Sequence, residues 1–313
     1  MLESLSVVYQ DPYATDDGVA RTTSLTYSKY DTADTALISY LSNKTAAGMS
    51  YQIPVSEFSA FQVGASLSKN EIIQTIDSSV LEINEFIDNY GKQHDQLSIP
   101  VAYIFDTRNR TIFPDSGTRQ VFSLSYEAAG SDLAYQQFHH TADYYWPSIF
   151  DTTLHIRYEL AYGAGRDGLK ELPFYEKYST GGNNSVHGFE PRSLGPKATQ
   201  ILSDGTTYTS DVTLGGDFLT EGSVELVIMP FKKAAGTTRF VLFYDFGNAF
   251  DTYHDFATDE LRTSFGLAIK WLAPVGAMTF SYAEPIHYQK SALNEGIYGD
   301  KIKRFQFDVG GSF

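Results

Sequence analysis

The sequence has 313 residues, 22 Tyr, 22 Phe and a formal net charge of −15, and it contains no cysteine. The acidic balance argues against a nucleic-acid partner, since phosphate binding needs clustered Lys and Arg, and the lack of cysteine excludes disulfides and thiolate metal sites. The chain is too rich in aromatic and apolar residues to be disordered, and its length fits one large domain or two ordinary ones.

No stretch contains the roughly 18 consecutive apolar residues of a transmembrane helix. The start, MLESLSVVYQ, also lacks the basic segment and apolar core of a secretory signal peptide. We therefore expect any export signal to lie outside this chain.

Apolar and polar residues alternate along most of the chain with the period of two that is typical of β-strands. On this basis about thirteen strands are predicted, with boundaries good to about 2–4 residues. Residues 70–91, read NEIIQTIDSSVLEINEFIDNYG, instead have the pattern of an amphipathic helix set within a loop. In chain order the predicted strands cover residues 2–10, 18–29, 44–54, 58–69, 95–106, 118–129, 135–146, 150–164, 220–230, 237–248, 260–272, 276–286 and 303–313.

Each predicted strand has one apolar face and one polar face. The segments RTSFGLAIKW (262–271) and TLHIRYELAY (153–162) separate the two residue classes in this way. Alternation by itself is also compatible with a soluble β-sandwich that turns its apolar face inward. The tail is the clearest case, with Phe305, Phe307, Val309 and Phe313 on one face and Arg304, Gln306, Asp308 and Ser312 on the other.

The lengths of the connections distinguish a membrane barrel from a sandwich. Long connections (30–43, 70–94, 165–219, 249–259 and 287–302) alternate with short ones (55–57, 147–149, 231–236 and 273–275), and only 130–134 and 107–117 depart from the rule. Outer-membrane barrels have short periplasmic turns and longer extracellular loops, with aromatic residues at the strand ends, as Tyr144, Tyr145 and Trp146 are here. The sequence therefore predicts an all-β fold, an antiparallel transmembrane β-barrel, with the 70–91 helix as a lid over its mouth.

No catalytic or metal site is indicated. His139 and His140 are adjacent, so on a strand they point to opposite faces and cannot bind one ion together. Neither HExxH nor GxSxG occurs, and Gly181-Gly182 lacks the Lys-Ser/Thr of a phosphate-binding loop. We expect no enzymatic activity, no metal and no cofactor.

Three motifs resemble the BamA family of outer-membrane protein insertases over nearly the whole chain. They are FDTRNRTIFPDSGTR (105–119), LPFYEKYSTGGNNSVHGFEPRSLGPK (172–197) and the tail FQFDVGGSF (305–313), and they occur in the order that the family has. The LGPK ending of the second motif favours BamA over its relative TamA.

In that family the long loop folds back into the barrel lumen, where a V-R-G-F tip pairs with acidic residues of the inner wall. The resemblance places the tip at Val186, His187, Gly188 and Phe189 and the wall carboxylates at Glu225 and Asp245. Strand parity agrees, since both carboxylates lie opposite to apolar neighbours in SVELV and FYDFG. His187 stands where the family has arginine, and a neutral imidazole cannot make the bidentate contact of a guanidinium. Arg192 is the alternative loop cation.

The resemblance implies a barrel of about sixteen strands, an even number as in other single-chain bacterial barrels, preceded by POTRA modules. Residues 1–313 would form one outer-membrane barrel domain, beginning near the family's fourth strand, with about three strands and the POTRA modules outside it. The implied function is to fold and insert other barrel proteins at a seam between first and last strands. The last strand would carry an assembly signal at Phe305, Phe307, Val309 and Phe313.

The implied location is the outer membrane of a Gram-negative bacterium. The implied partners are the BAM lipoproteins, nascent outer-membrane proteins, membrane lipids and lipopolysaccharide, with no nucleic acid. Two other functions remain open from the residues alone: a polypeptide-secretion or passive pore, and a soluble all-β binding module.

Overall fold

The computed structural model of the chain describes residues 2–31, 40–75, 80–229, 236–274, 276–292 and 297–310. Its main feature is one sheet of 13 strands, in which each strand pairs antiparallel with its neighbours in the order of the chain. The strands of this sheet are β1 (Leu2–Asp11), β2 (Ala20–Asp31), β3 (Tyr40–Ser56), β4 (Ser59–Thr75), β5 (Gln93–Asp106), β6 (Gly117–Glu127), β7 (Tyr135–Pro147), β8 (Thr152–Gly165), β12 (Phe218–Ile228), β13 (Thr238–Phe250), β14 (Arg262–Ala273), β15 (Gly276–His287) and β17 (Phe305–Val309).

The remaining elements belong to the connections. The β8–β12 connection contains β9 (Gly188–Phe189), β10 (Lys197–Ile201) and β11 (Thr207–Thr213), and β16 (Ile302–Lys303) precedes β17. One helix, α1 (Leu81–Tyr90), follows β4, and two short 3-10 helices (Tyr253–Asp255 and Thr258–Glu260) follow β13.

The predicted strands are confirmed, one for one, with shifts of a few residues at their ends. The largest differences are the outer ends of β3 and β4, which extend to Tyr40 and Thr75, and the last strand, which covers Phe305–Val309. The end of the predicted last strand, residues 311–313, lies outside the described residues.

The predicted helix over 70–91 is wrong in its first part. Residues 70–75 continue β4, where Asn70 and Glu71 pair with Lys44 and Asn43 of β3. Strand pairing with β3 and β5 overrides the helical period here, because β-branched Ile72 and Ile73 fit a pleated surface well. Residues 76–79 of the predicted helix lie outside the described residues. The helix that the structure describes is α1, and Gly91 closes it with a φ of 83°. Among the described residues, no helix combines the length and apolar character needed to cross a membrane.

The two faces of the sheet follow the predicted parity. On β14, Phe265, Leu267 and Ile269 are exposed by 52%, 58% and 40% on the outer face, whereas Ser264 is fully buried on the inner face. Large apolar side chains in contact with solvent on every second residue are typical of a lipid-facing wall. The alternative of a soluble sandwich is therefore wrong.

A hydrophobic cluster at the outer ends of the strands joins α1 to the long loop. Ile83 and Phe86 of α1 are buried against Phe174, with which Phe86 makes an edge-to-face contact at 5.3 Å. The carboxylate of Glu82 accepts a hydrogen bond of 2.9 Å from the backbone of Thr199 in β10. The helix and the loop therefore pack as one body at this end of the sheet.

Candidate functional site

The long loop, residues 166–217, connects two strands that are neighbours in the sheet, β8 and β12. It forms a narrow hairpin of its own, since Tyr178 and Gly216 exchange backbone hydrogen bonds of 2.8 Å and Thr180 and Leu194 exchange bonds of 3.1 and 3.0 Å. Val186, Phe189 and Leu194 form a fully buried cluster at its tip. Hydrogen bonds that the loop makes with Arg157 of β8 and Asp245 of β13 hold it against the inner wall of the sheet, as predicted.

The tip residue His187 contacts Asp245 of β13. Both the backbone N–H of His187, at 3.0 Å, and its ring Nδ1, at 2.6 Å, reach the same carboxylate oxygen, Oδ2. The other oxygen of Asp245 accepts a hydrogen bond of 2.6 Å from Ser223 of β12. The imidazole stacks on Phe243 with ring centres 4.3 Å apart. Asp245 has no exposed surface, so this carboxylate is fully occupied by the loop and the wall.

Three strands hold the turn that precedes the tip. The guanidinium of Arg157, on β8, donates to the backbone carbonyls of Asn184 and Ser185 at 2.6 and 3.2 Å. Glu221, on β12, accepts from the hydroxyl of Ser185 at 2.5 Å and from that of Thr180. On β15, the Ser281 hydroxyl donates to the Asn183 side chain at 2.5 Å.

The far side of the tip contacts the segment that leads into the last strand. Gly188 and Phe189, as β9, pair antiparallel with Lys303 and Ile302. The side-chain amide of Gln306 donates to the carbonyl of Phe189 at 2.5 Å. A Cβ on Gly188 would lie 3.2 Å from Ala283 on β15, and its φ of 90° is unfavourable for other residues. The glycine therefore lets the loop backbone approach the wall closely.

Glu225 does not contact the loop tip, so this part of the predicted pairing differs in the structure. Its carboxylate lies 3.0 Å from His155 Nδ1 and 3.3 Å from Lys270 Nζ, both on the wall. The loop instead meets Glu221, four residues earlier on the same face of β12. Arg192 is also elsewhere, bonded to Ser179 and Tyr30 at 3.2 Å each.

Other predicted positions are placed as follows. His139 contacts Glu159 at 2.7 Å on the inner face, while His140 contacts the Tyr158 hydroxyl at 2.9 Å on the outer face. The described tail residues Phe305, Phe307 and Val309 are 60%, 50% and 53% exposed. Phe313 lies outside the described residues.

Sequence reasoning missed Arg157, Glu221 and Gln306 as loop contacts. Parity had already assigned Arg157 and Gln306 to the polar face of their strands, and Glu221 shares the face of Glu225. The register across strands was the missing information: Ser223 lies opposite both Asp245 and Arg157, whereas Glu225 lies opposite Phe243 and His155. Arg157 is therefore level with Asp245, and Glu225 is not.

BamA proteins are among the similar proteins found both by sequence and by structure. The BamA outer membrane protein assembly factor of Neisseria meningitidis serogroup B is 29% identical over 98% of this chain, and that of Nitratidesulfovibrio vulgaris is 25% identical over 84% of it. The chain spans 41% and 31% of the lengths of these two relatives.

Among solved structures, the sheet is similar to BamA from Haemophilus ducreyi lacking POTRA domains 1–3. The TM-score is 0.87 and the identity 27%, over 100% of this chain and 62% of that one. CdiB from Acinetobacter baumannii has the same type of fold, with a TM-score of 0.58 and 13% identity over 98% of this chain and 50% of that one.

The model of the Omp85 superfamily domain matches residues 3–313, which is almost the whole sequence. The resemblance predicted from the three motifs is therefore confirmed, together with the barrel fold and its location. The chain belongs to the Omp85 superfamily, as a C-terminal barrel of the BamA type from the outer membrane of a Gram-negative bacterium.

Proposed function

We propose that this chain is the barrel of an outer-membrane protein assembly factor, which folds other β-barrel proteins and inserts them into the membrane. The observation that carries the proposal is the loop docked on the inner wall, with His187 on Asp245 and its tip paired to the segment before the last strand. The likeness to BamA over 98% of the chain supports it.

The proposed mechanism needs no covalent chemistry. A strand edge offers a row of unpaired N–H and C=O groups to an incoming strand, and added strands are held by main-chain hydrogen bonds. β17 stands at one end of the sheet order and pairs with β15 over five residues, Phe305–Val309. A short strand at the end of a sheet loses few hydrogen bonds when it moves, and its unpaired edge can bond to an added strand. We therefore place the binding of a client strand at β17.

The proposed partners follow from the function. They are nascent outer-membrane proteins, BAM lipoproteins, and the lipids and lipopolysaccharide around the apolar outer face. In this proposal residues 1–313 form the barrel domain of a longer protein, as the lengths of the BamA relatives suggest.

A chimera tests the proposal. The aligned part of the Neisseria meningitidis relative would be replaced by this chain, and the purified protein reconstituted in lipid vesicles with a denatured barrel protein as client. We expect the client to acquire heat-modifiable gel mobility and protease resistance faster than with empty vesicles. A chimera that is itself folded but leaves the client unfolded would contradict the proposal.

The pore alternative gives a different result in the same vesicles. The loop and α1 occupy the inside and outer end of the described sheet, so we expect no steady ion conductance. A stable open-channel current, together with no client folding, would favour a pore.

A further inference from the structure

The loop tip is held on its two sides by different kinds of contact. On one side, residues 180–187 bond to Arg157, Glu221 and Asp245, which lie on β8, β12 and β13. We call this set the anchor. On the other side, residues 188–190 bond to residues 301–306, which lead into and begin β17. We call this second set the latch.

The anchor consists of buried, charge-assisted bonds. Asp245 and Glu221 are 0% and 5% exposed, and the carboxylates accept from a backbone N–H, an imidazole and hydroxyl groups. Bonds to charged groups contribute roughly twice as much as neutral ones. Removing one partner also leaves a buried charge unpaired, which is strongly unfavourable.

The latch consists of neutral bonds. Ile302 and Lys303 pair with Phe189 and Gly188, the backbone N–H of Glu190 donates to the Lys301 carbonyl at 2.8 Å, and Gln306 donates to Phe189 at 2.5 Å. Gln306 is the only side chain among these donors, and it is 3% exposed on the inner face of β17. A bond between neutral groups contributes less and leaves no buried charge when it breaks.

The space around the latch allows the two segments to separate. A cavity of about 550 Å³ lies between loop residues 178–185 and the last strand, with Gln306 and Asp308 in its lining. The last strand itself is short, and its only strand pairing among the described residues is with β15, over residues Phe305–Val309. The bond from Gln306 is the latch contact that β17 itself makes, whereas the anchor bonds come from β8, β12 and β13, so a displacement of β17 breaks the Gln306 bond and leaves the anchor bonds in place.

We propose that Gln306 is a positioning residue that latches the last strand to the lumenal loop, and that the latch opens when this strand moves, while the loop stays anchored to the wall. The biological use of this movement, admission of a client strand, rests on the proposed function. In this proposal the loop stays bound to the inner wall, and the last strand binds to the loop through Gln306 or separates from it.

Substitution of Gln306 tests the latch independently of the anchor, because it removes a latch bond and leaves every anchor bond in place. Gln306→Met keeps the length of the side chain and removes the donor, and Gln306→Leu is a second variant with the same loss. In the full-length protein in lipid nanodiscs, we expect backbone amides of 305–309 to exchange with deuterium about fivefold faster, the ratio that corresponds to one neutral hydrogen bond. Cleavage of residues 180–187 by added protease should be unchanged.

Two controls define the outcome. Asp308→Asn, on the same face of the same strand, should change neither measurement, and Arg157→Gln should accelerate protease cleavage of 180–187 by tenfold or more. Unchanged exchange of 305–309 in both Gln306 variants would overturn the proposal. So would loop cleavage that increases as much as strand exchange, because loop and strand would then move as one unit. These measurements do not involve a client, so failure of client insertion would contradict the proposed function alone.

Discussion

At the scale of single residues, Asp245 is the centre of the loop contact. It accepts two hydrogen bonds from His187 and one from Ser223, and it is buried completely. The backbone N–H of His187 supplies one of these bonds whatever side chain stands at 187. A histidine at the family's arginine position thus keeps a contact with the wall carboxylate, because backbone and ring reach the same oxygen.

Truncation of His187 and truncation of Asp245 should therefore weaken loop docking to different extents. His187→Ala removes one bond to a charged group, about 1.5–3 kcal/mol, whereas Asp245→Ala removes every bond that this carboxylate accepts. We expect protease cleavage within 180–197 to be faster in Asp245→Ala than in His187→Ala. Equal cleavage in both variants would show that the backbone bond contributes nothing.

Arginine at position 187 should strengthen docking in a barrel completed by its upstream strands, because a guanidinium can bond both carboxylate oxygens. We expect His187→Arg to slow cleavage of 180–197, and Asp245→Ala to cancel the gain in a double-mutant cycle. If the gain persists without Asp245, the two residues do not form a pair, and Arg192 becomes the candidate cation.

The base of the loop contains a carboxyl group with a shifted pKa. Burial raises the pKa of Asp217 to about 6, although Lys177, 3.5 Å away, opposes the shift. The folded protein binds this proton more tightly than the unfolded chain does. The stabilising contribution is therefore present below the unfolded value of 3.8 and is lost as the pH rises through about 6.

Docking of the loop base should accordingly weaken between about pH 4 and pH 6. Amide exchange of residues 169–178, corrected for its intrinsic pH dependence, measures this change. Asp217→Asn, which cannot ionise, should be insensitive to pH over the same range. If Asp217→Asn shows the same pH dependence as the unsubstituted protein, a group other than Asp217 causes the effect.

At the scale of elements, the last strand combines two faces with separate roles. Gln306 faces the loop, while Phe305, Phe307 and Val309 face outward, and Phe307 stacks on Phe280 of β15 at 4.7 Å. The outer face supplies apolar area to the membrane and to the neighbouring strand, so the two faces can be tested independently.

Loss of outward aromatic area should impair assembly into the membrane. We expect Phe307→Ser and Phe313→Ala to reduce the amount of folded protein in outer-membrane fractions far more than Ser312→Ala does, because Phe307 is exposed on the outer face and the sequence pattern predicts the same face for Phe313. Heat-modifiable gel mobility measures the folded fraction. Equal amounts of folded protein for the three variants would count against the assembly signal.

At the scale of the whole molecule, the number of strands limits how the sheet can close. In an antiparallel sheet of 13 strands the first and last, β1 and β17, run in the same direction. They cannot form an antiparallel pair with each other. Unpaired backbone groups within lipid cost several kcal/mol each.

The isolated 313-residue chain should therefore be less resistant to heat in detergent than a version extended by about three upstream strands. The temperature at which heat-modifiable mobility is lost measures this difference. Equal temperatures would mean that the edge strands are protected in some other way.

The outer face predicts behaviour in solution as well. Exposed aromatic and aliphatic residues on alternate positions of β14 and β17 should make the protein dependent on detergent, with circular dichroism of the β type. A monomer that is soluble in plain buffer would contradict the membrane location.

The sequence alone determined the number and order of the strands of the main sheet and which strand face is apolar, because the period of two is a local property of the backbone. It also indicated the barrel, through the alternation of long and short connections. Asp245 was predicted from the resemblance to the BamA family, and strand parity agreed with that assignment.

Only the tertiary structure decided which residues meet. Parity assigns a side chain to a face but not to a level along the barrel, and the level depends on the register between strands that are distant in the sequence. For this reason Glu225 was expected at the loop tip, whereas Arg157 and Glu221 hold it. Residues 70–75 likewise follow a helical pattern but join β4, because pairing with β3, and with β5 at Asn70 and Glu71, stabilises the strand more than the local preference stabilises a helix.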